Sequence, residues 1–269
     1  MGEPTKRKSG AWSTVLAIVL VVLFQVGKYY GPELLAMWPV KVHAVEVSAE
    51  TETGDTPEFY YSLRLPVFTT SDPGVQRVLD ALAKEISDKA RGEVLDMEAR
   101  VKEDAASAKE DGYELPPYDY RIDFVVTYNR DNLLSLSTSE YFYYGGAHGT
   151  PLVLSYTVDL RSGKTLSLMD LFTDERTAKV ILAHGVLEGI EAEPDRFFPD
   201  AADHAGVRDD QQFYLKDGQV VLHYTVYDLA PYAGGLPEFA FYVDELENVL
   251  QPRIRRSLEK SALEDPGLE

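Results

Sequence analysis

Tyr118-Asp119-Tyr120-Arg121-Ile122-Asp123-Phe124-Val125-Val126-Thr127-Tyr128 is the stretch that decides the fold. Tyr118, Tyr120, Ile122, Phe124, Val126 and Tyr128 share one side of an extended chain, and Asp119, Arg121, Asp123 and Thr127 share the other. Alternation with period two belongs to a strand with one dry face and one wet face. Arg130-Asp131-Asn132 turns it into a partner strand, Leu133 to Tyr143, and Leu152 to Leu160 supplies the next. Upstream, Phe59, Tyr61, Leu63, Leu65 and Val67 alternate with Tyr60, Ser62 and Arg64, and a less clearly patterned β segment precedes them. Downstream, Asp217-Gly218 marks a hairpin between Phe213–Lys216 and Val220–Tyr227, and Phe239, Phe241 and Val243 make the last strand.

Between these strands the period changes. Val75, Val78, Leu79, Leu82 and Ile86 form one helical stripe, with Asp72 as cap and Pro73 in the first turn, and the helix reaches about Lys109. A second helix spans about Asp174 to Glu191. Leu246, Val249 and Leu250 begin a terminal one that Pro252 is expected to stop or kink. Alternation on one face and a predominance of hairpins predict an α+β fold, mainly antiparallel sheet, with helices packed on one face.

One transmembrane helix is expected ahead of this domain. Ser9 to Gly27 is a run of 19 uncharged residues between Lys8 and Lys28. As a helix it spans about 28 Å, near the hydrocarbon thickness of a bilayer. Lys6, Arg7 and Lys8 precede it, so the positive-inside bias keeps residues 1–8 cytoplasmic and exports the rest. The rival is a cleaved secretory signal, but Gln25 to Pro32 offers no small-x-small site. The expected layout is an anchor at 9–28, a stalk at 29–41, a domain in two halves at 42–140 and 141–260, and a disordered tail at 261–269. Its location is the cell membrane, single-pass, with the C-terminal domain extracytoplasmic.

Beyond the anchor stand 22 basic and 44 acidic residues, a net charge of −22. Such a field disfavours nucleic acid and anionic lipid headgroups and favours a cationic protein partner. The chain has no cysteine, so neither a disulfide framework nor a thiolate metal site is available. His43, His148, His184, His204 and His223 stand too far apart in sequence for a zinc clamp. No cofactor, metal ligand or catalytic residue is expected.

Two glycine-aromatic loops stand out: Tyr141-Phe142-Tyr143-Tyr144-Gly145-Gly146-Ala147-His148-Gly149 and Tyr227-Asp228-Leu229-Ala230-Pro231-Tyr232-Ala233-Gly234-Gly235. Each follows a strand, with glycines where a tight turn or a close backbone approach needs them. They are either loops whose aromatics cap the core or a rigid surface for recognition. The candidate binding residues are Tyr143, Tyr144, Gly145, Gly146, His148, Gly149, Tyr227, Asp228, Pro231, Tyr232, Gly234 and Gly235.

Tyr144–Gly149, then Tyr156-Thr157-Val158-Asp159-Leu160, Ser162-Gly163-Lys164 and Leu166–Phe172, together with Ala230–Ala233 and Glu238-Phe239, carry a family resemblance. They resemble the extracytoplasmic sensor domain of the anti-sigma-V factor RsiV and the N-terminal region of the peptidoglycan deacetylase PdaC, over roughly His43 to Leu250. In RsiV such an ectodomain binds lysozyme, and binding exposes the protein to signal peptidase. The resemblance implies a membrane-anchored binding or sensor module of the bacterial cell envelope, its ligand a lysozyme-like protein or cell-wall glycan. About ten residues precede the apolar run, too few for a sigma-sequestering domain, and no deacetylase metal motif follows. The alternative is a peptidoglycan-modifying enzyme or its accessory subunit, with His148 or Asp228 as the reacting group.

Overall fold

The computed structural model describes residues 45–264. The expected anchor at 9–28 and stalk at 29–41 lie outside the described residues. Among the described residues, no helix is long and apolar enough to cross a membrane.

The fold is α+β, with two sheets where a single one was expected. The first has six strands in the order β1 (Glu46–Asp55), β2 (Phe59–Thr69), β3 (Tyr118–Arg130), β4 (Leu133–Tyr143), β5 (Thr150–Asp159) and β6 (Lys164–Thr165). The second contains β7 (Phe213–Lys216), β8 (Gln219–His223) and β9 (Glu238–Tyr242). Every pairing is antiparallel except β2 with β3, which run parallel with Phe59 opposite Tyr118. That exception follows from the connection. Helix α1 (Pro73–Asp111) carries the chain back across the sheet between them, and a crossover of that kind joins parallel strands.

The Asp72 side chain accepts from Gly74 N at 2.8 Å and Val75 N at 3.2 Å, and Pro73 takes the first position. Gly112, at φ 79°, ends the helix. Its 39 residues extend about 58 Å. Val75, Leu79, Leu82, Ile86, Ala90, Val94, Met97 and Val101 form a buried stripe against Phe59, Leu63, Tyr120, Ile122, Leu134 and Leu136. Across that core the Glu140 carboxylate, 1% exposed, accepts from Lys89 Nζ at 2.8 Å and the Tyr120 hydroxyl at 3.0 Å.

Tyr118, Tyr120, Ile122 and Phe124 are buried as the alternation predicts. Tyr128 departs from it. A register shift between Val126 and Tyr128 puts Tyr128 opposite Ser135, which faces the other side of the sheet. Tyr128 thus joins the second core, its hydroxyl donating to Ser257 O at 2.9 Å.

This second core forms between the opposite face of the large sheet, the small sheet, α2 (Glu175–Ala192) and α3 (Pro252–Glu264). The large sheet is therefore covered on both faces, not on one. Part of the seam is polar. Ser135 pairs with Thr157 and Ser137 with Ser155, each at 2.8 Å, and Leu215 N donates to Ser135 Oγ at 3.0 Å. His223, 2% exposed, shares a hydrogen bond of 2.7 Å with Ser155 Oγ, and burial pushes its pKa down to about 4.

Two terminal expectations are corrected. Pro252 opens α3 instead of stopping a helix, because a proline at the first position forfeits no intrahelical hydrogen bond. The helix also continues into the stretch expected to be a disordered tail: Ser261 is fully buried and its Oγ accepts from Gly218 N at 3.1 Å.

Candidate functional site

The two glycine-aromatic loops are hairpin connections in different sheets, the first between β4 and β5 and the second between β8 and β9. They meet at their tips. The rings of His148 and Tyr232 stack with centroids 4.3 Å apart and planes 27° from parallel.

Close contacts define the first loop. Gly149 lies flat on Tyr141, and a Cβ there would stand 2.2 Å from the ring. Gly145 holds φ 75° and backs onto Pro116. His148 Nδ1 is 3.0 Å from Gly149 O, which fixes the ring's orientation. Tyr144 turns the other way, edge-on to Tyr118 at 5.4 Å and 4.8 Å beneath the Arg100 guanidinium. It is anchored beside α1, separate from the His148–Tyr232 stack.

The second loop is pinned from within. Leu229 and Ala230 are buried, and Phe198 N donates to Leu229 O at 2.9 Å. Tyr227, expected at the end of a strand, instead holds φ 71° past the end of β8, its N–H donating to Ala230 O at 3.0 Å. That backbone state projects its ring outward, 53% exposed. The Asp228 carboxylate accepts from Thr225 N at 3.1 Å and from Arg208 at 3.0 Å. Pro231 caps the short 3-10 turn Tyr232–Gly234. Arg196 donates to Gly234 O at 3.0 Å and Leu236 O at 3.3 Å, and Gly235 takes φ 71°.

Beside the stack, part of the large sheet forms a shelf. In register across β2, β3 and β4, Tyr60 stands beside Asp119 and Asp119 beside Tyr143. One step along, Ser62, Arg121 and Tyr141 form the next row. The Arg121 guanidinium lies 5.4 Å from the Tyr60 centroid and donates to Asp119 at 3.0 Å. Tyr60, Tyr141 and Tyr143 are half-buried, and Val125 on the same face is 55% exposed.

Of the expected residues, His148, Gly149, Pro231, Tyr232, Gly234 and Gly235 come together, Tyr143 joins the shelf, and Tyr144 with Gly145 belongs to the α1 side. Gly146 is exposed in the first loop, Tyr227 is a projecting ring, and Asp228 acts as a brace. Sequence reasoning missed Arg196, Arg208, Tyr60 and Arg121. Tyr60 and Arg121 stand on the polar phase of two alternating strands, a phase normally read as solvated. Among the described residues, no group of three or more His, Asp or Glu side chains is placed to hold a metal ion.

Residues 52–150 match the family model of the deacetylase PdaC, and residues 169–244 match that of DUF3298, a protein family of unknown function. The chain resembles both families, one after the other. The likeness to the N-terminal region of PdaC and to RsiV-like domains, read from the loops, is thereby supported. A crystal structure of a DUF3298 family member from Bacteroides fragilis superposes with a TM-score of 0.68 at 19% identity, covering 82% of this chain and 100% of that one. A DUF3298 family protein from Pseudomonas aeruginosa gives 0.52 at 22% identity, covering 80% and 97%. At these identities the likeness is one of fold. The search of curated proteins returned no match. His148 lies within the PdaC-like segment and Tyr232 within the DUF3298-like one, so the stacked pair joins the two.

Proposed function

We propose that this chain is a membrane-anchored binding module of the extracytoplasmic cell envelope that captures a cationic, lysozyme-like protein on the surface around the His148–Tyr232 stack. PdaC-like and DUF3298-like domains fit an extracytoplasmic envelope module. The observation that carries the reading is the meeting of two pinned loops with Tyr232 and Tyr227 held outward. Tyrosines fixed in this way provide contact area at little entropic cost. Charge supports the class of partner: residues 217–252, which include the second loop, hold six carboxylates and no lysine or arginine. Steering by such a field raises association rates for a protein of opposite sign.

The shelf of Tyr60, Tyr141 and Tyr143 favours a second reading, a wall glycan. Arg121 there is matched by Asp119, which suits a neutral ligand rich in hydroxyls. The enzymatic alternative draws no support from Asp228, whose carboxylate is engaged with Thr225 N and Arg208.

The test is binding of the purified full chain to a c-type lysozyme and, separately, to soluble muropeptides. The proposal expects saturable lysozyme binding that weakens with salt. Binding to muropeptides alone would move the assignment to glycan. Turnover of glycan or acetyl groups, abolished by His148→Ala with the fold intact, would make the protein an enzyme.

A further inference from the structure

β1 is the outermost strand of the large sheet, and no described residue pairs with its far side. Opposed residues in an antiparallel pair alternate between exchanging both backbone bonds and exchanging none. The turn sets the phase here, because Thr56 N–H donates to Phe59 O at 2.9 Å. Counting back in register, Gly54, Glu52, Glu50 and Ser48 bond inward to β2. Val47, Ala49, Thr51, Thr53 and Asp55 therefore direct their N–H and C=O groups away from the sheet. Ala49, Thr51 and Thr53 are exposed.

A free edge this long is a template for another strand. Natural edges are commonly blunted by proline, by a bulge or by charged side chains, lysine above all, and charge of one sign guards against strands of the same sign but not against those of the opposite sign. β1 contains no proline or lysine and pairs with β2 residue by residue, without a bulge. It carries Glu46, Glu50, Glu52 and Asp55, and no lysine, arginine or histidine occurs from Ala44 to Leu63. Of the four carboxylates, Glu52 is engaged by Arg91 of α1. Self-pairing with the β1 of a second copy would bring like charges together across the strands, which is unfavourable.

We infer that the β1 edge accepts an extended cationic segment of a partner protein by strand addition. Main-chain bonds supply affinity in this mode and flanking side chains supply selectivity. The edge is continuous with the aromatic shelf, since Asp55 stands opposite Tyr60 and Thr53 opposite Ser62. A protein docked at the loops and shelf can thus continue as a strand along β1. The inference extends the proposed function and does not depend on the identity of that protein.

The probe is a synthetic peptide of alternating valine and lysine, with a valine–glutamate peptide as control, added to the full chain in detergent. Amide exchange is followed by NMR. Peptide binding should slow exchange at Ala49, Thr51 and Thr53 at least tenfold and leave Glu50 and Glu52, already bonded to β2, unchanged. Thr51→Pro removes one outward N–H without touching the β2 ladder and should weaken peptide binding about tenfold. Glu50→Lys should reduce binding of the lysine peptide, whatever the folding yield of the proline variant. No binding, equal binding of the glutamate peptide, or binding without protection of the outward amides would overturn the inference. Loss of lysozyme binding with retained edge protection would defeat only the loop-site reading.

Discussion

His223 offers a direct measure of how tightly the two sheets are joined. Its ring is 2% exposed in the seam, and burial lowers its pKa from 6.5 to about 4. In the unfolded chain the ring protonates near its ordinary value. Between these pH values the unfolded state binds the extra proton, so stability falls as pH drops from about 6.5 toward 4 and levels off below that. At about 1.4 kcal/mol per pH unit the full effect is about 3 kcal/mol, and about 2 kcal/mol of it is lost between pH 7 and pH 5. Other groups also titrate in this range, so the informative quantity is the difference between wild type and His223→Gln. Denaturant unfolding of the full chain at the two pH values should show the variant losing about 2 kcal/mol less than wild type. Equal losses would refute the reasoning and mean that water reaches the ring or that the seam opens before global unfolding.

Three further outcomes are expected. Lys89→Met strands the Glu140 carboxylate in the core with only the Tyr120 hydroxyl for company, and should cost about 3 kcal/mol by denaturant titration, with most of it restored by adding Glu140→Gln. Gly149→Ala drives a methyl group into the Tyr141 ring and should destabilise the domain by about 2 kcal/mol in the same assay. Raising salt from about 0.01 M to about 0.15 M should slow lysozyme association severalfold, read by surface-binding kinetics, and leave dissociation nearly unchanged.

Much of the scaffold was legible because a single period governs each element. The stripe from Val75 to Ile86 and the alternation from Tyr118 to Phe124 each report one face turned to the core, and the structure packs both there; that the stripe runs on to Val101 is seen only in the structure. Asp131 and Asn132, at φ 50° and 64°, make the tight turn expected after Arg130. What the sequence hid are places where a tertiary partner decides. A single extra residue near Thr127 turns Tyr128 to the other face, and no pattern in Val125-Val126-Thr127 announces it. The small sheet meets the large one at serine hydroxyls, with Leu215 N donating to Ser135 Oγ and His223 bonded to Ser155 Oγ, and by composition these serines read as solvated positions. His223 looks like any strand histidine until Ser155 is seen against it. From the sequence Pro252 reads as a stop because the turn before it is apolar, and only the packing of Ile254 and Leu258 reveals a helix start.

The candidate site was half legible. Its glycines could be read as backbone requirements, and Gly149, Gly145 and Gly235 each have one. That the loops meet follows from the docking of the small sheet on the large one, which no local signal encodes. The braces Arg196 and Arg208 come from an acidic stretch without periodicity. Tyr60 and Arg121 gain meaning only when β2 and β3 lie side by side.

The central claim is that a cationic protein docks on the joined loops and that Tyr232 is its anchor. Dissociation of a c-type lysozyme from the full chain, wild type against Tyr232→Ala, tests it most directly. An aromatic anchor at an interface contributes about 2 kcal/mol, close to a thirtyfold change in rate. The account expects the variant to release lysozyme about thirtyfold faster with association little altered. Identical dissociation from both proteins, or no lysozyme binding by the wild type, would contradict it.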